Sequence, residues 1–261
     1  MKRTLIKTIP ELYPTALEPI LAGARIFDSS CSPEARVYFI DKDDGYYLKC
    51  AKAASLAREA LMTEYFHKKG LGTEILLYES GKRDFLLSRA VRGEDLTHET
   101  YVSDPKRLAD TTATLLRELH ELDAHDCPVQ DRMSEYLATA ERNYVTDNYD
   151  KSHFPDSFGY KSASDAWRVL QDGRSALKCE VLLHGDYCLP NIMLDNWRFS
   201  AFIDVDGGGV GDRHVDLFWG AWTLWFNLGT DAYRDRFFDA YGRDKIDKDI
   251  LSVIAAAEVF G

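Results

Sequence analysis

Cysteine is scarce in this chain and forms no recognisable pair. The five residues, Cys31, Cys50, Cys127, Cys179 and Cys188, include no C-x-x-C, and their number is odd. That excludes an evident disulfide framework and fits a reduced, cytoplasmic compartment. There is no low-complexity tract and no repeat at solenoid spacing, so disorder and solenoid arrays are excluded. No long apolar run is present either. The most apolar stretch, DLFWGAWTLWFNLG, is too short to span a bilayer and predicts a buried helix. The opening MKRTLIKTIPELYP has charge but no apolar core, and is not expected to act as a secretory signal. Positive charge is also in deficit. The net charge is −11, which argues against nucleic acid as a partner. Residues 1–90 hold 14 Lys and Arg against 12 Asp and Glu, whereas residues 91–261 hold 18 against 31. The acidic excess is either an ordinary solvated surface or a region that attracts a cationic ligand.

What is present is 261 residues with 45% hydrophobic content, enough for a sizeable core. The first 90 residues are strand-rich. ARVYFID and GYYLKCA flank a polar turn, and TEILLYE and DFLLSRA flank SGKR. Between these pairs, SLAREALMTEYFHKKG carries a helical stripe and stops at Gly70. From about residue 95 the periodicity is helical. Asp104 and Pro105 open one helix as N-cap and first helical residue, and Ser162 opens another. The fold class expected is α+β in two lobes, residues 1–90 and 91–261, joined near SRAVRGEDL. A ligand between lobes is the ordinary expectation for such a plan.

One stretch, HGDYCLPNIMLDNWRFSAFID at 184–204, carries chemistry. EVLLHGD is a short strand that leaves Asp186 on a loop, and Pro190 argues that this loop is not helical. IML, the turn DNW and RFSAFID form a hairpin signature. A hairpin returns the chain to its start, so Asn191 and Asp204 are expected close together. An amide oxygen and a carboxylate are hard ligands suited to Mg²⁺ carrying a nucleotide triphosphate. Asp186 would accept a hydroxyl proton. The spacing His-x-Asp, four residues, Asn, then a later Asp is the phosphoryl-transfer template. The bland alternative is that Asp186 and Asn191 are turn-formers.

With LLHGDYCLPNIMLDNWRFSAFID followed by GDRHVDLF, the sequence resembles the aminoglycoside phosphotransferases of the protein-kinase-like superfamily, above all the 3′-phosphotransferase group. The resemblance extends over most of the chain, including LLRELHELDAHDCP and AAAEVF, but not over the first 20 or so residues. It implies a kinase-like fold, with a small antiparallel-sheet lobe holding one helix and a larger helical lobe. It implies ATP or GTP as co-substrate with Mg²⁺ on Asn191 and Asp204, and Asp186 as the catalytic residue. SSCSPEARVY would be the phosphate loop around Ser32, although it has no G-x-G-x-x-G. Lys49 would steady the phosphates and Glu59 would pair with it. Tyr47, on the same strand face as Lys49, would stack on the base. The backbone near Ser88 and Ala90 would read its edge. Taken alone, these are a Ser/Pro turn, an edge lysine and a surface glutamate. DGGGVGD lacks the Lys-Ser/Thr of a P-loop and reads as a mobile turn after the metal ligand. Asp212 and Asp216 are expected to anchor loops to the next helix.

The partner implied is an aminoglycoside polycation held by carboxylates. Asp147, Asp150 and Asp156 in YVTDNYDKSHFPDSFGYKSASD, with Glu258 and the terminal carboxylate of Gly261, are the candidates. Two positions depart from the family pattern. Ala257 replaces a carboxylate, and Asp206-Gly207 replaces a frequent Gly-Arg. A monomer or weak dimer without nucleic-acid or membrane partners is expected. The alternatives are a kinase for another substrate, such as choline or a macrolide, a nucleotide-binding pseudokinase, or a structural interaction module.

Overall fold

A computed structural model of the chain describes residues 3–31, 33–150 and 159–261. The chain falls into two compact units, Met1–Glu94 with Met193–Asp206, and Asp95–Ile192 with Gly207–Gly261. Ser32 and Asp156, both candidate site residues, lie outside the described residues.

The first unit is built on six antiparallel strands: β1 (Thr4–Ile6), β2 (Arg25–Asp28), β3 (Ala35–Asp41), β4 (Tyr46–Lys52), β5 (Ile75–Ser80) and β6 (Arg83–Arg89). Their order in the sheet is β1-β2-β3-β4-β6-β5. A one-turn helix, α1 (Glu18–Leu21), precedes β2, and α2 (Ala57–Lys68) joins β4 to β5. β1, β2 and α1 have no counterpart in the sequence reading. β1 is three residues long and mostly exposed, so it shows no alternation to detect.

Strand alternation sorts the side chains of β4. Tyr46, Leu48 and Cys50 point into a core with Leu17, Ile26, Tyr38, Ile40 and Leu87. On the other face Ala51 packs with Leu56, Ala60 and Leu86. Tyr47 and Lys49 share that second face. α2 has no side-chain cap of its own. Instead the buried carboxylate of Asp84, on β6, accepts the amides of Ala54 at 2.8 Å and Leu56 at 2.9 Å. It also accepts the Ser80 and Tyr78 hydroxyls. These donors outweigh burial and hold its pKa below the usual carboxylate range.

The rest of the chain is mostly helical, as the periodicity predicts. In order come β7 (Glu94–Asp95), α3 (Glu99–Val102), α4 (Pro105–His120), α5 (Arg132–Val145), α6 (Ala163–Gly173), β8 (Val181–Leu183), β9 (Ile192–Asp195), β10 (Arg198–Phe202), β11 (Gly209–Gly211), α7 (His214–Leu228), α8 (Arg234–Tyr241) and α9 (Lys248–Glu258). Asp104 caps α4, with Pro105 in its first turn, and Ser162 caps α6. In the second unit, α5, α6 and α9 enclose a core of Ala140, Leu170, Val253, Ala256 and Phe260. Trp167 stacks on Tyr144 at 4.3 Å within it.

β9 and β10 form the expected hairpin, which clusters with the first unit. Its two turn residues, Asn196 and Trp197, both have positive φ, 51° and 66°. That is the backbone of a type I′ turn, whose twist matches the strands it joins. Phe202 ties the hairpin down. Its amide donates to the Leu71 carbonyl at 2.7 Å, and its ring meets Phe66 edge-on.

Two local expectations need correction. Pro190 sits in a 3-10 turn, Leu189–Asn191, because proline is tolerated in a first turn where its missing N–H has no partner to lose. The glycine-rich stretch is not wholly a mobile turn. Gly209–Gly211 is a buried strand paired antiparallel with β8.

Gly93, with φ 94°, lets the hairpin close. A Cβ there would lie 2.0 Å from the Leu194 carbonyl oxygen. Gly93→Ala is therefore expected to lower stability by at least ~2 kcal/mol. Urea denaturation checks this, and a loss below about 0.5 kcal/mol would contradict the packing.

Candidate active site

In the first unit Lys49 is held between two carboxylates. Its Nζ lies 2.7 Å from Glu59 Oε1 and 2.6 Å from Asp204 Oδ1. The lysine reaches Glu59 because α2, pinned by Asp84, lies over the same face of β4. Asp204 follows β10 with φ 56°, a left-handed conformation that an aspartate adopts at a cost. Burial works against the ammonium charge, but Asp204 and Glu59 outweigh it and raise the Lys49 pKa. Glu59 is pushed up to about 6, by burial first, against the pull of Lys49 and with the help of Asp204 and Asp206. The cluster thus carries more negative than positive charge.

The remaining first-unit candidates sit on the same sheet. Tyr47 lies opposite Ser88 in the β4–β6 register. Its hydroxyl accepts from Arg3 at 2.7 Å, and the Arg3 guanidinium lies 3.6 Å above the neighbouring Phe39 ring. The Ala90 amide donates to the Gly45 carbonyl at 3.0 Å, so that N–H is already engaged. In the β2–β3 loop the Ser30 hydroxyl accepts the Val37 amide at 3.0 Å.

In the second unit the loop after β8 is fixed at four points. The Asp216 carboxylate, at the start of α7, accepts the amides of His184 at 2.8 Å and Gly185 at 2.9 Å. Tyr187 donates its hydroxyl to the Thr112 carbonyl, and the Leu189 amide donates to the Thr223 hydroxyl. Asp212 anchors the neighbouring turn by accepting the amides of Lys178 and His214. The loop-anchoring roles expected of Asp212 and Asp216 are therefore seen directly. Gly185 has φ 86°, and a Cβ on it would fall 2.1 Å from the Gly207 carbonyl group. Only glycine permits that approach.

This anchoring presents Asp186 with a defined partner. Asn191 Nδ2 donates to the Asp186 backbone oxygen at 3.0 Å and to Oδ2 at 2.8 Å. With its nitrogen committed, the amide offers Oδ1 as an acceptor, the atom a hard cation would take. Among the described residues no group of three His, Cys, Asp or Glu side chains is arranged to hold an ion. An amide oxygen and one carboxylate fit a Mg²⁺ that arrives with phosphate oxygens, and not a free structural metal. Burial and Asp186 push the Cys188 thiol far up, which rules it out as a thiolate nucleophile at neutral pH.

Glu258 and Gly261 come together in the second unit. Tyr136 donates to Glu258 Oε1 at 2.7 Å, and Glu258 Oε2 lies beside the Gly261 backbone. Asp147 and Asp150 are exposed beyond the end of α5. Between them in sequence, the Tyr149 ring meets Phe260 at 5.2 Å, which brings this segment next to the C-terminal residues. Ala257 is fully buried in the core of α6 and α9, so a carboxylate there would lack solvent. Sequence reasoning missed Asp84, Tyr136 and Arg132. The Arg132 Nε donates to the Gly207 carbonyl at 2.8 Å. No local motif marks such residues, because each acts through a partner far away in the chain.

The kinase-like fold is shared with a solved aminoglycoside-3′-phosphotransferase of type VIII, at TM-score 0.79 and 21% identity over 94% of this chain and 97% of that one. An aminoglycoside phosphotransferase from Streptomyces rimosus, in complex with ADP and streptomycin, superposes at TM-score 0.70 and 21% identity over 87% and 91% of the two chains. A probable aminoglycoside 3′-phosphotransferase of Lactococcus lactis subsp. lactis (strain IL1403) is 52% identical over 96% of each chain. The profile of the phosphotransferase enzyme family matches residues 32–251, and the chain belongs to that family. Among the described residues no helix is long and apolar enough to cross a membrane.

Burial pushes Glu258 up to about 7, with the Asp186 charge adding to it and the Tyr136 and Trp219 hydrogen bonds opposing it. Its folded value exceeds the ordinary 4.5. Its contribution to stability is therefore complete below pH 4.5 and is lost as pH rises through 7. Glu258→Gln is expected to flatten the fall in stability over that window by on the order of 2 kcal/mol, discounted for partial exposure. Urea midpoints measured across the window test this, and an unchanged slope would contradict it.

Proposed function

We propose that the protein transfers the γ-phosphate of ATP or GTP to a hydroxyl of an aminoglycoside, the 3′-hydroxyl in particular. The observation that carries this is Asp186, oriented by Asn191 on a loop that Asp216 locks. Lys49 between Glu59 and Asp204 supports it independently. The relatives' names support the substrate class.

In this reading Lys49, steadied by Glu59, fixes the α- and β-phosphates, and Tyr47 stacks on the base, with the Ser88–Ala90 backbone along its edge. The Ala90 carbonyl, and not its engaged amide, is the suitable group there. Asn191 and Asp204 would hold Mg²⁺, whose charge offsets that of the phosphates. Asp186 accepts the hydrogen bond of the acceptor hydroxyl and aims its oxygen. As the new O–P bond forms, the bond from γ-phosphorus to the β–γ bridging oxygen breaks and the diphosphate departs. The proton passes to Asp186. Positioning and charge neutralisation supply most of the acceleration.

The ammonium groups of the aminoglycoside would sit against Glu258, the terminal carboxylate of Gly261, and Asp147, Asp150 and Asp156. Glu258 titrates near neutrality, so an arriving ammonium also favours its charged form. A phosphate dianion on a polycation spoils its fit to ribosomal RNA, which is how the reaction would confer resistance. We expect the protein to work in the cytoplasm as a monomer or weak dimer.

Asp186→Asn is expected to lower kcat about 10²- to 10⁴-fold while leaving nucleotide affinity unchanged. Release of nucleoside diphosphate, followed with aminoglycosides that have or lack a 3′-hydroxyl, tests both the residue and the regiochemistry. Turnover by Asp186→Asn at the wild-type rate would refute the assignment. Equal rates with both classes of drug would refute the 3′ position.

A further inference from the structure

A cavity of about 410 Å³ opens in the second unit, and its charged lining is Arg117, Arg213 and Lys245 with Glu121 and Glu180, beside His120 and Tyr241. None of these residues has a part in the reaction proposed above. The volume is within the range of small-molecule sites. Its wall holds three cations against two carboxylates, a small positive surplus in a chain that is otherwise strongly acidic. Two of its cations are matched by carboxylates. Arg213 Nε lies 2.8 Å from Glu180, and Lys245 Nζ lies 3.1 Å from Glu121. Arg117 differs. Its one hydrogen bond runs from Nη1 to the Ala240 carbonyl at 3.3 Å, and among the described residues it has no carboxylate partner. One guanidinium charge is thus left to the cavity.

The floor of the cavity is a directed hydrogen-bond relay. Burial lowers the His120 pKa despite Asp216, which favours the neutral ring. Its Nε2 lies 3.1 Å from Asp216 Oδ2, an acceptor, so Nε2 carries the proton. Nδ1 therefore accepts from the Tyr241 hydroxyl at 2.8 Å. Arg213 Nη1 reaches that hydroxyl at 3.4 Å. The same Asp216 carboxylate accepts the amides of His184 and Gly185 next to Asp186. The cavity wall and the catalytic loop therefore meet at one buried carboxylate.

We propose that this cavity is a second ligand site, which takes a small oxyanion, a phosphate or carboxylate head group, on Arg117. The planar guanidinium suits both heads. An anion drawn toward Arg213 competes with Glu180 and alters what Tyr241 receives. Through His120 and Asp216 that change reaches the loop carrying Asp186, so the occupant tunes turnover.

The test titrates the full chain with inorganic phosphate and with citrate at constant ionic strength, by calorimetry, in wild type and in Arg117→Ala and Lys245→Ala. At least one anion is expected to bind wild type with a Kd that rises about tenfold or more in Arg117→Ala. Which of the two binds identifies the head group. Basal phosphate transfer in both variants should match wild type, which shows that they fold. Phosphate uptake at the nucleotide-binding residues would survive Arg117→Ala unchanged. That result, or no binding of either anion to wild type, overturns the site. Saturating anion should change wild-type kcat at least about twofold and leave Arg117→Ala unaffected. An unchanged kcat at saturation overturns the coupling. Because binding is read without turnover, its failure is distinct from a failure of the proposed reaction.

Discussion

One ammonium group held between two carboxylates organises the first unit. Lys49 alone on a strand would be a solvated edge residue. Glu59 and Asp204 make it a fixed charge, and each comes from a different element. Such a cluster is costly to desolvate and carries a surplus of negative charge. Burial first, with the Asp204 charge adding to it, raises the Glu59 pKa despite Lys49. In the function proposed above, a cation entering with the nucleotide would relieve the surplus, with Asp204 turned to the metal and Lys49 to phosphate. The left-handed backbone at Asp204 shows that the fold tolerates strain to aim this side chain.

The second unit is organised by the opposite arrangement, a single carboxylate surrounded by donors. Asp216 accepts the buried amide of His184, the half-buried amide of Gly185 and the buried His120 imidazole. Charge-assisted bonds of this kind are strong, and loss of the acceptor would strand three donors. Rigidity of the loop follows, and with it the orientation of Asp186 by Asn191. Catalysis by positioning needs such stiffness, because small displacements of an aligned group are expensive in rate.

Much of this was legible in the residues. The helices from Pro105 onward, the hairpin after Asn191 and the anchoring aspartates all follow from capping, periodicity and turn chemistry. Alternation along one strand puts Lys49 and Tyr47 on the same face. What stayed hidden depends on contacts distant in sequence. Asp84 caps a helix that starts 27 residues earlier, so no capping box announces it. β1 and β2 are short and half-exposed, and without alternation they leave no period. Gly209–Gly211 looked like a loose turn because glycine signals freedom locally, whereas here it permits a buried strand. Arg132 reaches Gly207 across 75 positions, which no local motif encodes.

The surplus charge around Lys49 makes one demand that calorimetry can meet directly. Nucleotide titrated into the protein with Mg²⁺ should bind about tenfold tighter than with the metal chelated, and Asp204→Asn should erase the difference. Equal affinity with and without Mg²⁺ in the wild-type protein would contradict the account.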